Sequence, residues 1–454
     1  AQVAMATPLN VEVLTEMGFA VPDGAGANDL VVAVRLDADG DLDSVLGGVD
    51  AALREAASRP QGSGELAPAR TTSAALRDTP DAVVLVSVPG QHALVEAMDA
   101  IEAGCDVMVF SDNVPVESEL ALKRAATGRG VLVMGPDCGT AVIGGVGLGF
   151  ANIVEPGPVG IVAASGTGCQ QLLALLDHAG VGVTSALGVG GRDLSTEVGG
   201  LSTLEALRRL DADPAVKLIV LVSKPPAPEV AIRIEEYAAT LATPIELALL
   251  GPGRPDLTAA TESLLRRLRR AVPDWPIADP ARSSRRVSEE SRTLRRVSGG
   301  SLRGLFVGGT LCTEATLIAT ETLGPIGGSL ADLASPGHAM VDFGDDSLTA
   351  GRAHPMIDPT VRLEHLGRAA TDDATGVLIL DLVLGHGAEP DPAAMLAPVL
   401  AEIHQPVVVA VVGTAADPQG LNRQIATLAE AGAEVHLSNA GAVRRAVALV
   451  GSAR

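Results

Sequence analysis

Residues 158–193 contain two apolar runs, each ending in a turn of small residues, with one helical pattern between them. The pattern repeats leucines at helical spacing and ends at a glycine, as helices commonly do. Each turn follows a predicted parallel strand, which is where open α/β sheets bind ligands. Amides at a helix N-terminus form an anion site, although glycine turns are common in any α/β protein. The residues that we expect to bind phosphate or substrate here are Ser165, Gly166, Thr167, Gly168, Gly190, Gly191, Arg192 and Asp193.

Residues 304–454 repeat the order of residues 158–272. Four apolar runs follow one another in each segment, and the corresponding runs end in similar glycine turns. This pattern indicates an internal duplication. The turn that corresponds to 165–168 consists of Gly308, Gly309 and Thr310. We expect the two halves to direct their helix N-termini at one phosphate group.

The alternation of strands and helices extends over most of the chain and predicts an α/β fold with several doubly wound parallel sheets, of the Rossmann or flavodoxin type. Residues 266–303 interrupt it with eleven arginines and four acidic residues. This charge run is either a solvated linker or a docking segment for an acidic partner. The expected segments are a small N-terminal α/β unit (1–70), a Rossmann-like domain (71–157), a flavodoxin-type domain (158–272), an arginine-rich linker (273–303) and a second flavodoxin-type domain (304–454).

The composition narrows the class of protein. Hydrophobic residues make up 47% of the chain and aromatic residues only 2%, which suits aliphatic parallel sheets covered by helices. A net charge of −22 argues against binding nucleic acid or an anionic membrane surface. No apolar run is long enough for a membrane span, and no signal peptide is visible. The four cysteines lack disulfide or zinc spacing, so we expect no metal site and a cytoplasmic protein; they are Cys105, Cys138, Cys169 and Cys312. Cys169 and Cys312 follow the glycine turns of the two repeats, and we expect them to be small packing residues.

Residues 342–358 contain the candidates for catalysis. Arg352 and His354 lie before a predicted helix, where they could bind or protonate a phosphate-bearing group. His354 could instead pack or cap locally, because a lone histidine is not a catalyst by its pKa alone. Asp345 and Asp346 could hold a cation or orient Arg352, or they could cap a helix.

Five stretches of the chain resemble the signature stretches of the FdrA family and occur in the same order. They are 134–140 (MGPDCGT), 164–168 (ASGTG), 190–195 (GGRDLS), 222–226 (VSKPP) and 354–359 (HPMIDP). More distantly, the first two large domains resemble the α subunit of succinyl-CoA synthetase, and the last resembles the ligase domain of its β subunit. The resemblance implies a CoA-binding turn at Gly135, Pro136 and Asp137, and the start of a phosphate-gripping helix within 342–358.

The resemblance to succinyl-CoA synthetase is incomplete. The synthetase carries its phosphoryl group on a histidine in the loop after the fourth strand of its ligase domain, and the matching loop here, 251–256, has no histidine. No second region resembles a nucleotide-binding ATP-grasp domain. These departures argue against nucleotide-driven acyl-CoA formation by this chain alone.

The FdrA resemblance implies a subunit of the multi-subunit oxamate carbamoyltransferase of allantoin breakdown, a branch of purine catabolism. That enzyme splits oxalurate with phosphate into oxamate and carbamoyl phosphate. We therefore expect a small-molecule carbamoyl donor and acceptor, other carbamoyltransferase subunits as partners, and phosphate as substrate, with coenzyme A as an alternative ligand. The turns at 165–168 and 308–310 would hold phosphate through backbone amides, and Arg192, Arg352 and His354 would complete the site. The alternatives are an NDP-forming acyl-CoA ligase component and a regulatory subunit that binds coenzyme A or another metabolite.

Overall fold

The computed structural model describes residues 2–6, 8–22, 24–26, 29–36, 41–57, 69–77, 79, 81–278, 300–349 and 351–451. The chain divides into two compact units. One consists of Ala1–Arg70 with Thr349–Ala353, and the other of Thr71–Leu348 with His354–Arg454. Much of the predicted arginine-rich linker lies outside the described residues, including Arg282, Arg285, Arg286, Arg292, Arg295 and Arg296.

The first unit contains a two-stranded antiparallel sheet and two helices among its described residues. Its elements are β1 (Gln2–Met5), α1 (Pro8–Glu16), β2 (Leu30–Ala33) and α2 (Leu42–Ala57). Four leucines of this unit are at least 39% exposed, which leaves part of its apolar surface uncovered within the unit: Leu30, Leu42, Leu46 and Leu53.

The second unit begins with a three-stranded parallel sheet in the order β3-β4-β5. Helices alternate with the strands, as the sequence predicts for βαβ units. The elements are α3 (Thr72–Leu76), β3 (Val84–Val86), α4 (Gly90–Glu102), β4 (Val107–Val109), α5 (Val116–Thr127) and β5 (Val133–Met134).

A six-stranded sheet follows in the order β11-β10-β8-β9-β6-β7. Four neighbouring strands, from β11 to β9, are parallel, and a hairpin of two strands pairs antiparallel with β9. The elements are β6 (Thr140–Ile143), β7 (Val146–Gly149), β8 (Val159–Ala164), α6 (Gly166–His178), β9 (Val183–Gly188), α7 (Leu201–Ala212), β10 (Leu218–Ser223), α8 (Pro228–Ala238), β11 (Ile245–Leu249) and α9 (Leu257–Arg267).

The last sheet has seven strands in the order β12-β18-β17-β16-β13-β15-β14. Strand β12 falls within the predicted linker and pairs antiparallel with β18, so the beginning of that segment belongs to this sheet. The elements are β12 (Ile277–Ala278), β13 (Ser301–Phe306), α10 (Gly309–Leu323), β14 (Ile326–Gly327), α11 (Leu330–Leu333), β15 (His338–Asp342), α12 (Asp346–Thr349), α13 (Thr360–Thr371), β16 (Thr375–Val383), α14 (Pro392–Glu402), β17 (Val407–Val412), α15 (Leu421–Glu430), β18 (Glu434–His436) and α16 (Asn439–Gly451).

The two large sheets have the same order of repeated strands. In chain order the repeat consists of β8, β9, β10 and β11 in the first sheet and of β13, β15, β16 and β17 in the second. Both sets are parallel and lie in the spatial order fourth, third, first, second. The strand order is therefore what the internal duplication predicts. Both cores are almost entirely aliphatic, and a single hydrophobic cluster includes residues from both repeats, among them Leu172 of α6 and Leu311 of α10. Within the described ranges, no helix is long and apolar enough to cross a membrane.

Candidate functional site

Strands from all three parallel sheets end at the wall of one cavity of about 450 Å³. The three-stranded sheet contributes Asp112 and Asp137, which follow β4 and β5. Lys224 follows β10 of the six-stranded sheet, and Gly344 follows β15 of the seven-stranded sheet. The cavity thus lies at the carboxyl ends of parallel strands, where open α/β sheets bind ligands.

The two repeats bring the N-termini of α6 and α10 together at this cavity. Ser165 caps α6, because its Oγ accepts the Gly168 N–H at 3.0 Å. The same hydroxyl donates to Thr310 Oγ1, in the first turn of α10, at 2.6 Å. Ser165, Gly166, Thr167, Gly309 and Thr310 line the cavity. The structure therefore brings the two predicted anion-binding turns together, and their phosphate-binding role stays a prediction.

The amide of Gly308 has a protein partner. Its N–H donates to Asp381 Oδ2 at 2.8 Å, and the Val307 N–H donates to Asp381 Oδ1 at 2.8 Å. Arg362 neutralises this buried carboxylate at 3.0 Å. Asp381 therefore fixes the turn before α10, and of the predicted turn only Gly309 and Thr310 line the cavity.

Lys224 lines the cavity, and the sequence pattern indicates it only as part of the VSKPP stretch at 222–226. It lies close to both Gly309 and Asp342, because a side chain at Gly309 would overlap the Lys224 ammonium and the Asp342 carboxylate. It is also the one lysine or arginine among the described residues that line the cavity. The sequence did contain a signal for this residue, because a lysine directly after a repeated strand is a candidate anion-binding group in a chain of net charge −22.

The carboxyl groups on the cavity wall differ in their pKa. Burial, and after it the negative charge of Asp346, raise the pKa of Asp137 to about 7, although Lys224 acts in the opposite direction. The side chain of Asp137 is nevertheless open to water within the cavity. Burial raises the pKa of Asp342 to about 6, against the effects of Lys224 and of the Gly344 N–H that it accepts. At neutral pH, both protonated and ionised carboxyl groups are therefore present.

The CoA-like turn predicted at 135–137 packs against the second glycine loop. A side chain at Gly190 would overlap the Pro136 carbonyl and the Gly135 backbone. Gly190 itself has a φ of +89°, which favours glycine. This close approach places Asp137 and Gly191 together on the cavity wall.

His354 lines the cavity as a neutral imidazole. Burial lowers its pKa to about 4, although Asp112 acts in the opposite direction. The Met356 N–H donates to Nδ1 at 3.2 Å, which leaves the proton on Nε2. The ring also lies beside Phe150, with 5.6 Å between ring centroids. At neutral pH this histidine is a hydrogen-bond donor and a poor base, which corrects the expectation of a titrating proton carrier.

The structure gives Asp193 and Arg192 other partners than a substrate. Asp193 is fully buried and accepts Lys123 Nζ at 2.7 Å and the Thr203 N–H at 2.9 Å. Arg192 Nε donates to Glu119 at 3.0 Å. Neither side chain lines the cavity, so both hold the glycine loop against α5 and α7 instead of binding phosphate there.

The remaining catalytic candidates also lie outside the cavity lining. Asp345 accepts the Ser347 N–H at 3.0 Å, a capping contact, and the bonds from Ser347 lower its pKa. Burial, and then the negative charge of Asp112, raise the pKa of Asp346. Arg352 is exposed and belongs to the first compact unit. Within the described residues, no cluster of His, Cys, Asp and Glu could hold a metal ion.

The four cysteines are buried and free. Burial raises the pKa of the Cys138 thiol to about 12 and also raises the pKa values of Cys169 and Cys312. The environments of these three thiols therefore disfavour the reactive thiolate, which for Cys169 and Cys312 agrees with the packing role that we predict.

Comparisons with known proteins relate the two ends of the chain to two families. The CoA-ligase family matches residues 305–449, and the family described as "AllF, heavy metal-associated domain" matches residues 1–69. The matched N-terminal segment contains neither cysteine nor histidine, so its soft ligands are limited to the thioethers of Met5 and Met17.

Over its whole length the chain is similar to YahF, an uncharacterized protein of Escherichia coli (strain K12). The two are 35% identical over 459 residues, which cover 95% of this chain and 88% of YahF. The chain is also 31% identical over 169 residues to subunit alpha 2 of the ADP-forming succinate–CoA ligase of Archaeoglobus fulgidus, which covers 36% of this chain and 56% of that subunit.

A solved structure is similar over a comparable length. It is the dinucleotide-forming acetyl-coenzyme A synthetase 1 of Ca. Korarchaeum cryptofilum in complex with phosphate and ADP. The identity is 16% and the TM-score 0.32, and the match covers 87% of this chain and 89% of that chain.

Coenzyme A is the ligand that a CoA-ligase domain implies, and the cavity residues do not suit it. The cofactor carries several phosphate groups, whereas Asp112, Asp137 and Asp342 face the cavity against the single cation of Lys224. One cation beside these carboxyl groups offsets the charge of a single phosphate group better than that of several. A smaller acid that offers N–H donors as well as negative charge fits these groups better, so no step below uses coenzyme A.

Proposed function

The chain belongs to the family of the Escherichia coli protein YahF, and we propose that it is a subunit of a carbamoyltransferase that interconverts oxalurate plus phosphate and oxamate plus carbamoyl phosphate. The match to the CoA-ligase family is compatible with both carbamoyl transfer and acyl-CoA formation. The FdrA resemblance favours the carbamoyl reaction, as does the mixed chemistry of the cavity.

The observation that carries this proposal is that hydrogen-bond donors and carboxylate acceptors share one cavity. The first turns of α6 and α10, with Lys224, offer N–H, O–H and ammonium donors to phosphate oxygens. Asp112 and Asp342 offer acceptors on the same wall. Oxalurate needs both kinds of group, because it is a carboxylate that also carries amide N–H groups.

Each group then has a role in phosphate attack on the carbamoyl carbonyl. The helix N-termini and Lys224 bind phosphate and neutralise part of its charge. The Asp112 and Asp342 carboxylates accept hydrogen bonds from the amide N–H groups and orient the carbonyl. The Nε2–H of His354 donates to the carbonyl oxygen, which becomes an oxyanion on attack.

A nucleotide-driven acid–CoA ligase component is the second candidate, because the CoA-ligase family covers residues 305–449. Against it, the loop where the synthetase has its phosphohistidine reads Gly251-Pro252-Gly253-Arg254-Pro255-Asp256. Asp256 caps α9 by accepting the Ala259 N–H at 2.8 Å. Labelled ATP should therefore leave no acid-labile phosphohistidine on this chain, whereas stoichiometric labelling would support the ligase.

The test of the proposed function is phosphorolysis by the complex purified from its native source. Oxalurate and phosphate, without nucleotide, should yield carbamoyl phosphate and oxamate in equal amounts. We expect the isolated chain to be much less active than the complex, because the other subunits are part of the proposed enzyme. Nucleotide-dependent thioester formation, with no carbamoyl phosphate, would overturn the proposal in favour of the ligase.

A further inference from the structure

Asp137 has a carboxyl group that faces the cavity without a hydrogen-bond or ion-pair partner in the part of the chain that the structure describes. It lines the main cavity and also a small adjoining space of about 10 Å³ shared with Ser165 and Gly166. Among the described residues, no hydrogen bond or ion pair reaches its side chain, whereas Asp193 and Asp381 have each of their oxygens occupied. A carboxyl group held open at a binding cavity is available to a ligand.

The backbone fixes Asp137 in a conformation that few residues adopt. Its φ is +54°, in the left-handed region, and its N–H donates to the Ser111 carbonyl at 3.0 Å. Non-glycine residues with positive φ are uncommon, and they concentrate where function requires an unusual geometry. The strained turn holds the carboxyl group near the N-terminus of α6.

The charges around Asp137 come from several elements. Asp346 and Asp112 disfavour its ionisation, and Lys224 and Arg192 favour it. Together with burial, which is the largest effect, they raise its pKa to about 7. An acid with such a pKa is half protonated at neutral pH, which is the condition for efficient proton transfer.

We propose that Asp137 is the catalytic acid that protonates the leaving nitrogen of oxamate, an inference that rests on the proposed carbamoyltransferase function. A phosphate oxygen forms a bond to the carbamoyl carbon, and the carbonyl electron pair moves to oxygen. When that electron pair re-forms the C=O double bond, the C–N bond to the oxamate nitrogen breaks. The nitrogen keeps the electrons of the broken bond and takes the proton of Asp137. The proton that hydrogen phosphate brought then restores the acid, so no other reactant is needed.

The first test is Asp137→Asn in the purified complex at saturating phosphate and oxalurate. Asparagine tolerates the left-handed backbone but cannot transfer a proton. We expect kcat to fall by about 10²–10⁴-fold, with little change in the phosphate KM. The wild-type kcat should also fall as the pH rises through about 7, and the variant should lack this dependence.

The second test is Asp346→Asn, at a position outside the cavity lining. Removing its negative charge should lower the pKa of Asp137 and so move the alkaline fall in kcat to lower pH, while the enzyme stays active. A merely structural role for Asp137 would not produce this shift.

The outcomes separate the two proposals. If the wild-type complex forms no carbamoyl phosphate, the proposed function fails. If the wild type turns over and Asp137→Asn keeps both its kcat and its alkaline fall, Asp137 is not the acid and the proposed function stands. If Asp137→Asn does not fold, the Asp346→Asn pH profile decides, and an unshifted profile overturns the inference.

Discussion

Lys224 determines the charge of the cavity, since it is the single cation opposite several carboxyl groups on the described lining. Replacing it with methionine should raise the phosphate KM by about 10- to 100-fold, the equivalent of roughly 1.4–2.8 kcal/mol. The pKa values of Asp137 and Asp342 should also rise, because Lys224 lowers both. Lys217→Met is the matched control, as this exposed lysine precedes β10 instead of following it. Equal phosphate KM values in both variants would exclude Lys224 from the site.

His354 should act as a neutral donor across the physiological pH range. His354→Ala should lower kcat by about 10²–10³-fold, the usual effect of losing one donor to an oxyanion. His354→Asn keeps a donor and should lose less. Because the pKa of His354 is near 4, the kcat profile of the wild type between pH 5.5 and 8 should contain no step from this residue. A histidine step that disappears in His354→Asn would restore the proton-carrier hypothesis.

Single residues show where sequence reasoning succeeds and where it fails. The serine–glycine turn could be assigned to a helix N-terminus, because capping is a local property of the sequence. The role of Asp193 could not, since its partner Lys123 is 70 residues away in the sequence. Lys224 was overlooked for the same reason, as its neighbours Gly309 and Asp342 come from the other repeat.

At the level of elements, a buried ion cluster attaches the second glycine loop to α5. Lys123, on that helix, donates to Glu119 at 2.8 Å and to Asp193 at 2.7 Å, and all three side chains are at most 1% exposed. Lys123→Met would leave the buried Asp193 carboxylate without its cation, and Glu119 would keep only Arg192. We expect a loss of about 3–5 kcal/mol in the free energy of unfolding, measured with denaturant. Lys217→Met should be nearly neutral in the same assay, and a similarly small loss for Lys123→Met would contradict the prediction.

Element boundaries were predictable where the pattern was strong. The runs at 159–164, 218–223 and 407–412 are strands because aliphatic residues continue without interruption, as buried parallel strands require. The β6–β7 hairpin was not predicted. Its strands are four residues each, β7 contains two glycines, and Gly144 and Gly145 join the strands, so the sequence pattern resembles a loop.

At the level of the whole molecule, Glu314 connects the two repeats. This residue of α10 accepts the Leu257 N–H of the first repeat and the Asn439 side chain, both at 2.7 Å. Burial raises its pKa to about 7, above the unfolded value. Its stabilising effect is therefore complete below the unfolded pKa, and it should decline as the pH rises through about 7.

Glu314→Gln tests this linkage, because glutamine cannot ionise. The free energy of unfolding of the wild type, relative to the variant, should fall by up to about 3 kcal/mol between pH 4.5 and pH 8. Glu321→Gln, on the exposed side of the same helix, should show no such trend. Parallel stability curves for wild type and Glu314→Gln would rule out Glu314 as the titrating group.

The sequence repeat predicted the shared strand order of the two large sheets, but it did not predict which side chains line the cavity. A duplication predicts that two equivalent turns face one another, and Ser165 and Thr310 do so. It contains no information about Asp112 and Asp137, which follow strands of the three-stranded sheet, outside the repeated segments. The packing of three separate sheets against one another decides which side chains share the cavity.

The covalent linkage of the two repeats has a consequence for how the site can evolve. Two separate identical subunits related by a twofold axis would present every side chain twice, so a substrate at the axis would meet the same chemistry on both sides. One gene that encodes both halves lets each mutate independently. The turn after β10 carries Lys224, whereas the turn after the corresponding strand β16 carries His386. Such asymmetry suits a molecule like oxalurate, whose two ends differ.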